Sequence, residues 1–135
     1  MTFARHLLNY EELPEYQLAR DVSELIKSTA NQMTFTKQRE WLRDRILWEA
    51  GQLTATLIEG YSNNFASEWA LGIGSCRNSV LMADYIFTFM QGNGILEREK
   101  AEPVLARLSE LMTRLMNLSV TLRQESAASG RANRN

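Results

Sequence analysis

The sequence predicts an all-α protein, an up-down-up-down antiparallel four-helix bundle. Apolar residues recur at steps of three and four along four segments, and no segment alternates polar with apolar residues as a strand would. Helix-forming Leu, Ala, Glu, Arg and Met are abundant, and there are only two prolines. The 135 residues are enough for one domain with one core. We expect a bundle domain at 1–125, with helices at about 14–32, 37–60, 64–91 and 97–124, and a disordered tail at 126–135.

The first predicted helix has one apolar face. Pro14 suits a first helical turn, and the negative charge of Glu15 beside it interacts favourably with the positive end of the helix dipole. Leu18, Val22 and Leu25 then follow at steps of four and three. This spacing predicts a helix that buries a single face.

The second predicted helix has two apolar stripes. The first consists of Leu42, Ile46, Leu53 and Leu57. The second consists of Trp41 and Trp48, with Ala55 continuing the sevenfold spacing. Two stripes indicate burial on two sides, which a lone bundle does not require. Gly60 suits the C-terminal stop of this helix.

The third predicted helix also has a long core stripe and a flanking one. The core stripe consists of Phe65, Trp69, Ile73, Cys76, Val80, Ala83, Phe87 and Met90. Its steps of three and four resemble the seam of a helical bundle. The flanking stripe consists of Met82, Ile86 and Phe89. Together with Trp41 and Trp48, we expect the flanking residues to form the interface of a homo-oligomer.

The fourth predicted helix follows a glycine-containing turn at 91–94. Its apolar stripe is Leu105, Leu108, Leu111, Leu115, Leu118 and Leu122. Pro103 falls within the first two turns, so the firm part of the helix is expected from there. Residues 126–135 have no apolar periodicity, which favours a disordered tail.

The stretch Gly72-Ile73-Gly74-Ser75 raises the choice between a phosphate-binding loop and a packing surface. A phosphate loop follows a strand and opens a helix, but these glycines lie inside a helical stripe, with no strand before them and no Walker-type lysine. Each glycine within a helix costs roughly 1 kcal/mol relative to alanine. We therefore predict that another backbone approaches closely here, from the second helix or from a neighbouring subunit.

Catalytic and metal-binding chemistry is not predicted. His6 is the single histidine and Cys76 the single cysteine, so Glu-x-x-His metal sites and multi-cysteine zinc sites are ruled out. Cys76 lies on the core stripe and is expected to be buried rather than reactive. Glu59 is expected to have a structural role. An enzyme would need a pocket that gathers Glu59, Arg77 and Asp84. We expect no cofactor.

The net charge of the chain does not indicate a nucleic-acid-binding protein. The formal net charge is −1, whereas nucleic-acid-binding domains are usually basic. If nucleic acid is bound, the predicted contacts are Lys37, Arg39, Arg43, Arg45, Arg131 and Arg134. No signal peptide or membrane-spanning segment is predicted, so we expect a protein of the reducing cytoplasm.

Several stretches resemble a known family of helical proteins. These are Leu57-Ile58-Glu59-Gly60-Tyr61, Glu68-Trp69 and Leu71-Gly72-Ile73-Gly74-Ser75. They are similar to the signature of the four-helix bundle proteins of the ribosomal-RNA intervening-sequence type. The segment from Tyr10-Glu11-Glu12-Leu13 through Leu25-Ile26 resembles the first helix of that family, and Gly94-Ile95-Leu96 resembles the entry to its last helix. The resemblance covers about residues 10–124.

The family includes the accessory variability determinant of diversity-generating retroelements. The resemblance therefore implies a homopentameric barrel that works beside a reverse transcriptase and its template RNA, without catalytic activity of its own. Glu59, Gly60, Gly72, Gly74 and Ser75 are the motif residues that this resemblance selects. The near-neutral charge leaves a second possibility open, a protein–protein interaction scaffold that does not bind nucleic acid.

Overall fold

Four α-helices make up the fold, and the all-α prediction is confirmed. The computed structural model describes residues 9–62 and 66–134, apart from the side chains at 126 and 129–134. The α-helices are α1 (Pro14–Gln32), α2 (Glu40–Tyr61), α3 (Ala66–Gly92) and α4 (Arg98–Arg134). Short 3-10 turns at Tyr10–Glu12 and Lys37–Arg39 precede α1 and α2. Within the described residues there is no strand.

Local sequence chemistry explains where the first helix begins. The side-chain oxygen of Asn9 accepts a hydrogen bond from the backbone N–H of Glu11 at 3.0 Å, which caps the 3-10 turn. Pro14 then occupies the first position of α1, where its missing N–H leaves no helical hydrogen bond unmade. The range of α1 equals the one that the sequence predicts.

The other helices differ from the predicted ranges at their ends. Residues 37–39 wind as a tighter 3-10 turn, so α2 begins at Glu40. Helix α4 begins at Arg98, ahead of Pro103, and continues to Arg134, through the segment for which a disordered tail is predicted. Residues 126–134 contain no proline, and their three alanines and two arginines favour a helix, although Gly130 disfavours one. The predicted start of the third helix lies outside the described residues, as does Phe65.

The core lies between the four helices. Each helix contacts its neighbour in the chain, and α1 also contacts α4, which closes the bundle. The predicted core stripes supply the centre, with Ile46 and Leu53 from α2, Ile73 and Phe87 from α3, and Leu108 from α4 fully buried. Over the part of the chain that the structure describes, no helix combines the length and apolarity that a bilayer crossing requires.

Candidate interaction surface on α2 and α3

Two glycines bring the backbones of α2 and α3 into direct contact. A Cβ atom on Gly72 would lie 2.7 Å from the carbonyl oxygen of Thr56 and 2.8 Å from the Cα atom of Gly60. A Cβ atom on Gly60 would lie 2.9 Å from the Cα atom of Gly72. Real Cβ atoms do not approach backbone so closely, so both positions require glycine. The close approach predicted for the glycine stretch therefore occurs at Gly72, and its partner is α2 of the same chain.

Cys76 lies one helical turn beyond this contact and has a packing role. Its side chain is fully buried, and its thiol donates a hydrogen bond to the carbonyl oxygen of Leu53 at 3.3 Å. Burial raises the pKa of the Cys76 thiol to about 12, against which a hydrogen bond with Thr56 acts only weakly. The thiol therefore stays protonated at neutral pH, and the thiolate that nucleophilic chemistry requires does not form.

An open groove follows the outer side of the α2–α3 pair, and we call it the α2–α3 groove. One end lies between Trp41 and Trp48, with Asp44 and Arg45 between them. The middle is lined by Trp48, Gln52 and Thr56 of α2 and by Ser75, Asn78, Ser79 and Met82 of α3. The other end is lined by Thr56, Glu59 and Gly60 of α2 and by Glu68, Leu71, Gly72 and Ser75 of α3. Shared lining residues connect these three parts into one surface feature.

Large apolar side chains lie exposed on both helices, and three of them, Trp41, Trp48 and Leu71, line this groove. Trp41 and Trp48 are 60% and 62% exposed, and they lie seven residues apart on the same side of α2. Leu71, Leu81 and Tyr85 are exposed to a similar extent on α3. Contiguous apolar patches on a single chain usually mark interaction sites. The outer side of α2 and α3 is therefore the candidate functional surface.

The predicted interface residues divide into exposed and buried ones. Trp41 and Trp48 are exposed, Phe89 is partly exposed, and Met82 is half-buried in the groove. The prediction that Ile86 lies in the interface is wrong, because Ile86 is in the core and only 3% exposed. It follows the buried Ala83 by three residues, so the helical repeat turns it inward.

The basic residues predicted to contact nucleic acid are not equivalent. Lys37, Arg39 and Arg43 are exposed and lie close together in sequence, in the 3-10 turn before α2 and in its first turns. Arg45 differs because its Nε atom lies 2.8 Å from a carboxylate oxygen of Glu49, whose side chain is only 6% exposed. The side chains of Arg131 and Arg134 lie outside the described part of α4.

Glu59, Arg77 and Asp84 do not line one part of the groove together. Its end lined by Glu59 also contains Glu68, Thr56 and Ser75, but neither Arg77 nor Asp84. Within residues 9–62 and 66–134, no three acidic, histidine or cysteine side chains are grouped so that they could hold a metal ion. His6 lies outside the described residues.

Comparison with known proteins adds no family assignment. No protein-family model matches the chain, and no curated protein sequence matches it significantly.

Substitution of Gly72 by alanine tests the backbone contact. The added methyl group would meet backbone atoms of α2 that have no rotamer to change, so the helices must move apart. We expect Gly72→Ala to lower the free energy of unfolding by ~1–3 kcal/mol in chemical denaturation, the usual range for overpacking.

Gly51→Ala is the matched control for this substitution. Gly51 lies inside α2, as Gly72 lies inside α3, but no atom of the described residues is within 4 Å of its Cβ position. The better helix propensity of alanine should raise stability by up to ~1 kcal/mol. Stabilisation by both substitutions would contradict the close backbone contact between α2 and α3 at Gly72.

Substitution of Arg45 tests the role of its ion pair. Arg45→Met leaves the nearly buried carboxylate of Glu49 without its cation, and we expect a loss of ~1–3 kcal/mol in the free energy of unfolding at neutral pH. Arg43→Met, at an exposed cation on the same helix, should change it by less than ~0.5 kcal/mol. Equal stability of the two variants would show that the pair does not stabilise the fold.

Proposed function

We propose that this chain is a non-enzymatic four-helix bundle that self-associates through the outer side of α2 and α3. The observation that carries the proposal is the exposure of Trp41 and Trp48, because more than half of the surface of each residue is accessible to solvent. Full burial of a large apolar side chain is worth ~1.5–3 kcal/mol. A few such side chains covered by a second copy supply much of the affinity that a specific assembly needs.

The helices of each subunit alternate in direction in this proposal. The contacts between α2 and α3 support it, because Gly60 meets Gly72 while Leu53, earlier in α2, meets Cys76, later in α3. Contacts that move in opposite directions along two helices belong to an antiparallel pair. The short connections between the other consecutive helices favour the same up-down-up-down arrangement.

Five subunits in a ring are what the family resemblance implies. In a ring, each subunit contacts its two neighbours head to tail. Each subunit therefore needs two different surfaces, one for each neighbour. The exposed faces of α2 and α3 are two such surfaces, each with its own large apolar side chains.

The biological role proposed with this assembly is that of an accessory protein in the reducing cytoplasm, of the kind that serves a diversity-generating retroelement. It would bind the reverse transcriptase and nucleic acid. The resemblance of the residue stretches supports this role, and so does the exposed group formed by Lys37, Arg39 and Arg43. Trp41 lies beside them, and exposed aromatics next to cations are typical of single-strand binders.

A second candidate function is a protein–protein interaction scaffold without nucleic-acid binding. The observation that favours it is the formal net charge of −1, because phosphate binding usually requires a basic domain. Both functions use the same self-association, so the nucleic-acid experiment below separates them.

Substitution of Trp48 tests the self-association. A charge in a desolvated contact is unfavourable, so Trp48→Arg should lower the average mass measured by light scattering towards the 15.5 kDa of one chain. Its circular dichroism should remain that of the unsubstituted protein, because the tryptophan is 62% exposed in the subunit.

Met116→Arg is the matched control for Trp48→Arg. Met116 is also an exposed apolar residue, but it lies on α4, away from the groove. The control variant should keep the mass of the unsubstituted protein. Equal masses for all three proteins would remove Trp48 from the interface, and a mass of 15.5 kDa for the unsubstituted chain would overturn the self-association.

A salt titration tests nucleic-acid binding. Fluorescence anisotropy with single-stranded RNA and DNA should show an affinity that falls steeply between two ionic strengths. The triple change of Lys37, Arg39 and Arg43 to glutamine should flatten the plot of log affinity against log salt by ~2, since each phosphate contact to a single strand contributes ~0.7.

Arg114→Gln with Arg123→Gln is the control, because both arginines are exposed on α4. This double variant should keep the slope of the unsubstituted protein. No binding at low salt would exclude the nucleic-acid role and leave the scaffold function.

A further inference from the structure

An uncharged exposed stripe runs along α3, and we call it the α3 seam. It consists of Leu71, Gly74, Asn78, Leu81, Tyr85 and Thr88. Its steps alternate between three and four, the spacing of residues that pack against another helix. All of its members are exposed except the half-exposed Gly74. The charged residues of α3, which are Glu68, Arg77 and Asp84, all lie off the seam.

Gly74 makes no close packing contact with the described residues. None of their atoms lies within 4 Å of its Cβ position, whereas Gly72, two residues earlier, meets the backbone of α2. A glycine in the interior of a helix is unfavourable relative to alanine, and Gly74 differs from the equally open Gly51 because it lies on an exposed stripe of uncharged residues. Over residues 9–62 and 66–134 Gly74 has no close neighbour, and the open side of this glycine faces outward along the α3 seam.

We infer that a second copy of this chain packs along the α3 seam and approaches most closely at Gly74. This inference rests on the proposed self-association and adds the surface and the residue through which it occurs. The absence of a side chain at Gly74 leaves room for a large side chain or for the backbone of the neighbouring helix. Leu71 and Leu81 would close over that contact from either side along the helix.

The charges favour a second copy over a charged partner. A charged surface laid on the uncharged seam would lose hydration and meet charges only at one edge, where Arg77 and Asp84 have opposite signs. This chain itself exposes a suitable uncharged counterpart in Trp41 and Trp48, which are among its largest solvent-exposed side chains. A formal net charge of −1 per copy also means that several copies assemble with little mutual repulsion.

Period and polarity fit the same occupant. Trp41 and Trp48 are seven residues apart, as are Leu71, Asn78 and Tyr85, so the two surfaces share one repeat. A buried indole N–H needs an acceptor, and the amide oxygen of Asn78 supplies one on the seam.

Gly74→Leu tests this inference directly. The new side chain enters open space in the subunit and improves helix propensity. The thermal unfolding temperature of the dilute protein should therefore not fall. The same side chain blocks the close approach of a neighbouring helix. We expect the dissociation constant of the assembly, measured by analytical ultracentrifugation, to rise at least tenfold.

Leu81→Arg is a second variant that keeps the test valid if Gly74→Leu folds poorly. Leu81 is 60% exposed, so the substitution should leave the fold intact and should also weaken association tenfold or more. Met116→Arg, the exposed control on α4, should associate like the unsubstituted protein. Association of both seam variants at the unsubstituted strength would overturn the inference while the proposed self-association stands. A monomeric unsubstituted protein would overturn both.

Discussion

The backbone contact between Gly60 and Gly72 determines how the rest of this molecule is arranged. A methyl group on either residue would overlap the main chain of the opposite helix, so α2 and α3 can pack this closely only with both glycines present. Small or slender groups fill the positions that follow the contact, among them the buried Cys76 and the hydroxyl of Thr56. Beside the glycine contact, the buried aromatic rings of Tyr61 from α2 and Trp69 from α3 pack edge-to-face, with 5.3 Å between their centroids.

The outer surface of the pair is apolar because several large side chains lie on the sides of α2 and α3 that face away from the core. The inner faces of α2 and α3 are occupied by the glycine contact and by the core stripe around Ile46, Leu53 and Ile73. Trp41, Trp48 and the residues of the α3 seam remain outside, where no element of the described chain covers them. A core that is already closed by α1 and α4 cannot accommodate them, so burial of this surface requires a second molecule.

Much of the fold could be predicted from the sequence, because steps of three and four along each segment identify buried faces without any tertiary information. Other features depend on neighbours that periodicity does not specify. Ile86 was assigned to the outer stripe because its spacing from Met82 and Phe89 fits one, but the same spacing connects it to the buried Ala83. Leu81 and Tyr85 were missed because Gly74 and Asn78 interrupt the hydrophobic pattern between them and Leu71. The pair of Arg45 and Glu49 could have been found from its spacing of four on a helix.

The most direct test of this account is acrylamide quenching of tryptophan fluorescence in the unsubstituted protein, measured across a dilution series. Trp69 is buried in the subunit, whereas Trp41 and Trp48 are shielded only when another copy covers them. The account predicts weak quenching of all three tryptophans at high protein concentration, and stronger quenching wherever dilution separates the copies. Strong quenching that does not change with concentration would show that the two exposed tryptophans are never covered, and it would contradict the account.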